Sequence, residues 1–141
     1  MIHRAIRVRD WMVDFLFSYP RNDAEGVLPC LQSYEAPEDI VQDAVALMDA
    51  GPNVGFTFSN GYRRRALTWV GPQSEGKQWL NTTVHEIVHV AFAVAIDNMI
   101  DPYSEEFAYL VGDIVQELSD ILCFLACDHC RDTHCGERKN A

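Results

Sequence analysis

The stretch Asn81-Thr82-Thr83-Val84-His85-Glu86-Ile87-Val88-His89-Val90-Ala91-Phe92 decides the fold, because it predicts an apolar helix that carries three chemically active side chains. Its two histidines are four residues apart, so on a helix they share one face and both imidazoles can bind a single metal ion. Glu86 lies about 100° round the helix from His85, where a carboxylate can reach a water beside the metal without being a ligand. The alternative is a buried helix whose histidines only hydrogen-bond to neighbours.

Length and composition predict one folded domain. The chain has 141 residues, of which 48% are hydrophobic and 23% charged, and this is ordinary for a globular protein. We expect a single domain over residues 1–126 and a tail containing cysteine and histidine over residues 127–141. The 11 basic and 21 acidic residues give a net charge of −10, which argues against a nucleic-acid partner.

The N-terminal sequence, the lack of a long apolar run and the cysteine usage together favour a cytoplasmic protein. No uncharged apolar run reaches the roughly 20 residues that cross a bilayer, so no membrane partner is expected. The basic N-terminus lacks the apolar core and the cleavage site of a signal peptide. Five cysteines, an odd number, do not indicate an extracellular disulfide framework.

The segments before the motif alternate between strand and helix signals. Residues 11–19 are aromatic and β-branched enough for a first strand, although a helix competes there. Two helices should follow, a short one over residues 23–32 and a longer one over residues 37–50 that ends at Gly51-Pro52. These signals predict a sheet on which the motif helix packs.

A hairpin and two long helices complete the predicted α+β fold. The hairpin strands should span residues 54–59 and 62–70, joined by a two-residue turn at Asn60-Gly61 with positive φ at both residues. The motif helix should run over residues 75–97 and a second long helix over residues 103–127, with Ser104 as a candidate cap. The expected architecture is a small antiparallel sheet with a hairpin, packed on this pair of helices.

A third metal ligand is expected downstream of the motif, because catalytic zinc normally takes three protein ligands and one water. Glu105 and Glu106 open the second long helix and are the candidates. Helical phase alone favours Glu106, which lies at the edge of the apolar stripe, whereas Glu105 is almost opposite that stripe. However, Glu105 is followed by Ala108 and Gly112 on one strip of small residues, which would allow close packing near the motif helix and point Glu105 at the metal.

Over residues 53–118, about half of the chain, the sequence resembles small zincin-like metallopeptidases of gluzincin type that are encoded by phages and mobile elements. In those proteins H-E-x-x-H is followed by a helix that opens with a glutamate shortly before Ala-Tyr-Leu. Here Glu105 takes that place ahead of Ala108-Tyr109-Leu110, so the resemblance favours Glu105 over Glu106. Tyr109 occupies the position of the aspartate that orients a histidine in thermolysin-like enzymes, which leaves Asp113 as the candidate for that role.

The resemblance implies a zinc-dependent peptide hydrolase. His85, His89 and Glu105 would hold Zn2+, while Glu86 would take a proton from the attacking water and deliver it to the leaving amine. The peptide or protein substrate would lie extended along a sheet edge, for which the strand over residues 62–70 is the candidate.

Two tyrosines and a basic cluster are further candidates near such a site. Tyr62 and Tyr109 could donate hydrogen bonds to the oxyanion, although a tyrosine is more often simply packed. The run Arg63-Arg64-Arg65 could recognise an acidic substrate segment or protect an edge strand by its charge.

A second class of function stays open, namely a catalytically inactive protein of the same fold that binds metal or a partner without turnover. Glu86 favours the enzyme, because a protein that only binds could lose this base at little structural cost.

The tail could hold a second metal site. Cys127 and Cys130 form a C-x-x-C pair, and His134 with Cys135 would complete four zinc ligands. The alternative is a reduced tail that binds no metal.

Overall fold

A four-stranded mixed sheet organises the fold, with helices on both of its faces. The computed structural model describes residues 1–133, and within them the chain forms four strands and six helices. The strands are β1 (Ile2–Val8), β2 (Trp11–Phe17), β3 (Gly55–Asn60) and β4 (Arg65–Val70). The helices are α1 (Val27–Ser33), α2 (Glu38–Asp49), α3 (Gly76–Asp97), α4 (Glu105–Glu117), α5 (Ser119–Ala126) and α6 (Asp128–Thr133). The predicted α+β class is confirmed.

The strand order is β1-β2-β4-β3. The sheet is mixed, whereas the sequence predicted an antiparallel sheet. β1 and β2 pair antiparallel, as do β3 and β4, whereas β2 and β4 run parallel, with Val13 opposite Ala66. The parallel pair arises because α1, α2 and β3 lie between β2 and β4 and return the chain to the starting end of the sheet. β4 is therefore internal and β3 forms one edge, so the expectation that the strand over residues 62–70 is an edge is wrong.

The outer strand β1 was not expected from the sequence, where residues 2–8 were considered only as a targeting segment. Its side chains alternate, with Ile6 and Val8 buried and the intervening Arg7 exposed. β1 and β2 are joined by a tight turn at Arg9-Asp10 in which Arg9 has a φ of 56°. A short turn of this kind makes β1 the antiparallel neighbour of β2.

Each face of the sheet has its own apolar core. On one face Val13, Phe15 and Phe17 pack with the helices α3, α4 and α5. On the other face Leu16 and Trp69 pack with α1 and α2. Because β2 contributes to both cores, its side chains are nearly all buried, as is typical of a central strand.

The motif helix is confirmed, since α3 begins within one residue of its predicted start and ends as predicted at Asp97. It is long and apolar enough to cross a membrane by length and composition alone, and 44% of its most apolar 18-residue stretch is buried inside the protein. α3 contacts β3, β4, α4 and α5. These contacts are those of a core helix.

The second long helix is divided in two. α4 ends and α5 begins around Leu118, which is fully buried and has a ψ of 3° outside the helical range. The predicted cap is confirmed, because Ser104 Oγ accepts a hydrogen bond from the Phe107 amide at 3.2 Å. The break lets α4 and α5 pack separately against α3.

The hairpin is present, but its turn differs from the prediction. Asn60 pairs with Arg65, so the loop spans residues 61–64 and the residue with positive φ is Arg64, at 50°. Asn60 is held by its side chain, whose Oδ1 accepts from the Arg63 amide and whose Nδ2 donates to the Tyr34 carbonyl. These two bonds stabilise a longer loop in place of the two-residue turn.

The start of α3 is in close contact with the chain between α5 and α6. The Gly76 amide donates a hydrogen bond to Asp128 Oδ1 at 3.0 Å, so Asp128 satisfies one of the free amides at this helix end. A Cβ added at Gly76 would run into the backbone carbonyl of Ala126. Only glycine allows this close approach.

We predict opposite effects for two glycine substitutions in helices. Gly76→Ala should lower the free energy of unfolding by about 2 kcal/mol or more, because the added methyl group displaces the Ala126 backbone. Gly112→Ala is the matched control: nothing lies within 4 Å of its Cβ position, so the higher helix propensity of alanine should raise stability by about 0.5–1 kcal/mol. Urea denaturation of both variants measures this, and equal stability of Gly76→Ala and the wild type would contradict the contact.

Candidate metal centre

The two motif histidines lie side by side on the exposed face of α3. His85 Nε2 and His89 Nε2 are 3.1 Å apart, and the ring centroids are 4.8 Å apart. Two nitrogens that bind one zinc ion at about 2.1 Å with tetrahedral angles lie about 3.4 Å apart. The spacing therefore fits two ligands of one metal, and it also fits a hydrogen bond between one protonated and one unprotonated nitrogen.

Glu86 points away from solvent, into the space between α3 and the sheet, and is 3% exposed. Its Oε2 accepts a hydrogen bond from Thr57 Oγ1 on β3 at 2.8 Å. The Thr57 oxygen lies 2.9 Å from Thr68 Oγ1 on β4, so a chain of hydrogen bonds runs from the carboxylate across two strands. These hydrogen bonds offset part of the desolvation free energy that burial of the carboxylate costs, and they fix its position.

A cleft of about 320 Å³ lies between α3, the start of β3 and the end of α2. Both His85 and Glu86 line it, together with Asn53, Gly55 and Thr82. Both residues therefore border one cleft, although their side chains leave the helix in different directions.

Gly55 brings the first residue of β3 close to the motif helix. A Cβ at this position would lie 3.1 Å from the Thr82 side chain and 3.2 Å from Cγ of Glu86. Such distances are tighter than ordinary contacts, so a side chain here would press on Glu86. The wall of the cleft depends on this glycine.

Neither candidate third ligand joins the histidine pair. Within residues 1–133, no group of three or more His, Cys, Asp or Glu side chains is close enough to hold a metal ion. Glu105 is the exposed first residue of α4. Glu106, the alternative ligand, forms an ion pair with Arg9, with Arg9 Nη2 3.0 Å from Glu106 Oε1.

The packing reason for preferring Glu105 is contradicted by the structure. Ala108 and Gly112 lie on an exposed face of α4, and the space beside Gly112 is open. Instead, α4 contacts α3 through larger side chains, with the Phe107 ring 5.0 Å from that of Phe92. Helical phase described the buried stripe of α4 correctly, including Leu110 and Ile114.

The candidates for orienting or assisting the site lie apart from the cleft. Asp113 faces a separate pocket formed with Arg7 and Arg9 of the β1–β2 turn region. Tyr109 is 70% exposed on α4, and Tyr62 is fully exposed in the hairpin loop. The structure therefore brings none of these three residues to His85 or Glu86.

The arginine cluster is occupied by ion pairs within the protein. Arg63 donates to Glu35, and this hydrogen bond is the main reason that the pKa of Glu35 is lowered. Arg64 bridges Asp10 and Asp97. Arg65 pairs with Asp14 at 3.9 Å. Its guanidinium group also lies over the ring of Tyr34, the C-cap residue of α1. These contacts connect the hairpin loop to its surroundings, and the loop is not an edge strand.

Two of the four candidate tail ligands can be located. Cys127 immediately precedes α6, and Cys130 lies in its first turn, where the Cys130 amide is 3.4 Å from Cys127 Sγ. His134 and Cys135 lie outside the described residues, so the second zinc site remains a prediction.

The sequence did not identify Thr57, Gly55 or Asn53 as part of the site. Thr57 lies in a strand whose polar and apolar side chains alternate in the usual way. It meets Glu86 only because α3 packs on the sheet with that side of the helix facing β3. The one available signal was Gly55, a glycine inside a predicted strand, which commonly marks close approach of another backbone or side chain.

Comparison with protein-family models, with curated proteins and with solved structures finds no match. What the protein does is therefore inferred from its side chains.

We predict that Thr57→Val destabilises the protein by about 1–3 kcal/mol, because it removes the hydroxyl that donates to the buried Glu86 carboxylate. Thr57→Ser keeps the hydroxyl and should cost about 1 kcal/mol or less. Urea denaturation gives both values. In a Glu86→Gln background the difference between the two variants should shrink, and an equal loss in valine and serine variants would show that the hydroxyl is unimportant.

Proposed function

We propose that the protein is a zinc-dependent peptide hydrolase of the zincin-like, gluzincin type that acts on a peptide or protein substrate in the cytoplasm. The observation that carries this proposal is the meeting in one cleft of a paired histidine and a buried, hydrogen-bonded glutamate. Catalysis of amide hydrolysis requires a group that takes a proton from water close to an electrophilic centre. A metal ion held by His85 would be that centre, and Glu86 lines the same cleft as His85.

The histidine pair is the part of the site that fits zinc best. The Nε2 atoms of the two imidazoles lie 3.1 Å apart on an exposed helix face, which is close to the spacing of two ligands of one zinc ion. Glu105 remains our choice for the third ligand over Glu106, because Glu106 is already paired with Arg9. Binding through Glu105 would need a change at the start of α4.

Bound zinc would supply a Lewis acid that lowers the pKa of a water and polarises the scissile carbonyl. Glu86 would accept the proton of the attacking water and return it to the leaving amine. Thr57 holds the Glu86 carboxylate from the side of the sheet, so one of its oxygens is fixed. This arrangement positions the base before the substrate arrives.

An extended substrate would lie along β3, because this strand forms the sheet edge on the side of the cleft. One side of β3 pairs with β4 and the other offers unpaired backbone groups, which can bind a peptide by strand addition. The substrate would then pass Gly55 and approach His85 and Glu86. This position replaces the one expected along residues 62–70.

A catalytically inactive metal-binding or partner-binding protein is the second candidate. It is favoured by the exposure of the histidine face of α3, which continues into Ile96 at 79% and Met99 at 93% exposed. Apolar side chains this exposed are frequent at binding surfaces. The two candidates differ in turnover, since only the hydrolase needs the Glu86 carboxylate.

We predict one zinc per chain for the purified protein, measured by elemental analysis after dialysis. His85→Ala and His89→Ala should each lose the metal, whereas Glu86→Gln should retain it and reduce cleavage of a peptide library by about 100-fold or more. A wild-type protein without bound metal, in the presence of added zinc, would end the proposal. Zinc binding without any peptide cleavage would favour the second candidate.

The pair Glu105→Ala and Glu106→Ala identifies the third ligand. Loss of zinc only in Glu105→Ala supports the proposed set. Glu106→Ala is the matched control, since it removes one exposed ion pair worth about 0–1 kcal/mol and leaves the histidines untouched.

A further inference from the structure

The histidine pair lies within an exposed stripe of α3 that is largely apolar. This stripe, called here the α3 stripe, includes Leu80, Phe92 and Ile96, and it continues into Met99 just after the helix. These four are among the nine large apolar side chains that are exposed in residues 1–133, so exposed apolar surface is concentrated on this one element. A surface helix normally presents polar side chains to solvent, and an exposed apolar stripe is typical of a surface that a partner covers.

The α3 stripe is complementary to itself when two copies pack antiparallel. Ile87 lies midway between His85 and His89, and it also lies midway between Lys77 and Asp97 near the two ends of α3. A two-fold axis at this point would place each His85 opposite a His89 of the second copy, and each Lys77 opposite an Asp97. Both the histidine pair and the terminal charges therefore match in a single register.

The charges at the ends of α3 favour the antiparallel arrangement. Lys77 is well exposed near the start of the helix. At the other end Asp97 and Asp10 share one cation, Arg64, so this end stays acidic. A parallel arrangement would bring two acidic ends together, whereas the antiparallel one pairs an acidic end with a lysine.

The apolar side chains also meet in this register. Reflection about Ile87 places Leu80 of one copy between the positions of Phe92 and Ile96 of the other, since neighbours on a helix face are three or four residues apart. These three side chains are exposed in the single chain. Each would lose exposed apolar surface in the pair of copies.

The apolar contact alone is too small to hold two copies together. The 22 residues of α3 are about 33 Å long, and a helix is about 10 Å wide, so one face covers roughly 300–400 Å². A stable interface buries about 800 Å² on each partner. Each chain also carries a net charge of −10, which opposes association. A further bond between the copies is therefore required.

Two histidine pairs can supply that bond through one zinc ion. Within each pair the Nε2 atoms are 3.1 Å apart, which is close to the spacing of two ligands of one tetrahedral ion. Zinc in closed sites takes four protein ligands, and two copies provide four imidazoles. The positive charge of the ion also offsets part of the repulsion between two acidic chains.

We propose that two copies of the chain pack antiparallel through the α3 stripe and share one zinc ion held by His85 and His89 of both. This proposal rests on the zinc site of the proposed function and describes its regulation. A zinc ion with four imidazole ligands has no open position for water, so the dimer is a latent form. Zinc in excess gives each histidine pair its own ion and releases single chains with one zinc each.

The test is a titration of the metal-free full chain with zinc chloride, followed by sedimentation equilibrium and by elemental analysis of bound zinc. The mass should rise from 16.0 kDa to twice that value at half an equivalent of zinc, and fall back when zinc is in excess. A chelator should restore the single chain. Cys127→Ser, titrated in parallel, removes a candidate ligand of the tail and should dimerise like the wild type.

Two variants separate the metal from the apolar contact. His89→Ala leaves one imidazole per copy and should abolish the zinc-dependent doubling of mass. Ile96→Glu keeps both histidines but places a charge in the contact, so it should weaken dimerisation at least about 10-fold while zinc binding persists. Val45→Glu is the matched control, because Val45 is an exposed apolar residue of α2 outside the α3 stripe. Its dimerisation should equal that of the wild type.

The outcomes distinguish this proposal from the proposed function. A chain that binds one zinc and stays single at every ratio would overturn the shared ion and leave the hydrolase intact. A dimer that forms with chelator present, forms in His89→Ala, or persists with one zinc per chain would also overturn the shared ion. Failure of the proposed function has a different result, namely a chain that binds no zinc, or a zinc-bound single chain without cleavage that depends on Glu86.

Discussion

The hydrogen bond from Thr57 to the buried Glu86 carboxylate is the constraint on which the arrangement of the site depends. A carboxylate is costly to remove from water, so α3 must sit on the sheet at the one rotation that gives Glu86 a partner. With Glu86 turned to the sheet, the geometry of the helix turns His85 and His89 outward. The mixed sheet supplies the partner, because Thr57 and Thr68 come from neighbouring strands and face the same side.

Regular segments could be predicted from the sequence, and α3 is the clearest example because its apolar side chains extend over 22 residues. The capping role of Ser104 was also predictable, since a serine before the first residues of a helix commonly accepts a hydrogen bond from a backbone amide of the first turn. β1 was missed because residues 2–8 were assessed only for a signal peptide, and the alternation of buried and exposed side chains along them was not considered. The parallel pairing of β2 and β4 depends on where α1 and α2 lead the chain, which no local pattern describes.

In the candidate site, too, local features were predictable from the sequence and tertiary contacts were not. The motif spacing predicts that the two imidazoles are neighbours, and their Nε2 atoms are 3.1 Å apart. The choice between Glu105 and Glu106 required knowledge of which face of α4 meets α3. Small residues indicated one face, but Phe107 and Phe92 form the contact on another, because large apolar side chains gain more from burial than a strip of alanine and glycine. Helical phase was the better guide for this element.

Both ends of α3 are held by side chains from distant parts of the chain. Asp128 accepts from its first residue, while Trp11 and Arg64 both donate to Asp97, its last. A helix is stiff along its axis, and His85 follows Gly76 by nine residues, or about 14 Å. A small displacement of the chain near Asp128 can therefore be transmitted through the rigid helix to the imidazoles. The segment from Ala126 to Asp128 and the histidine pair are thus linked through α3.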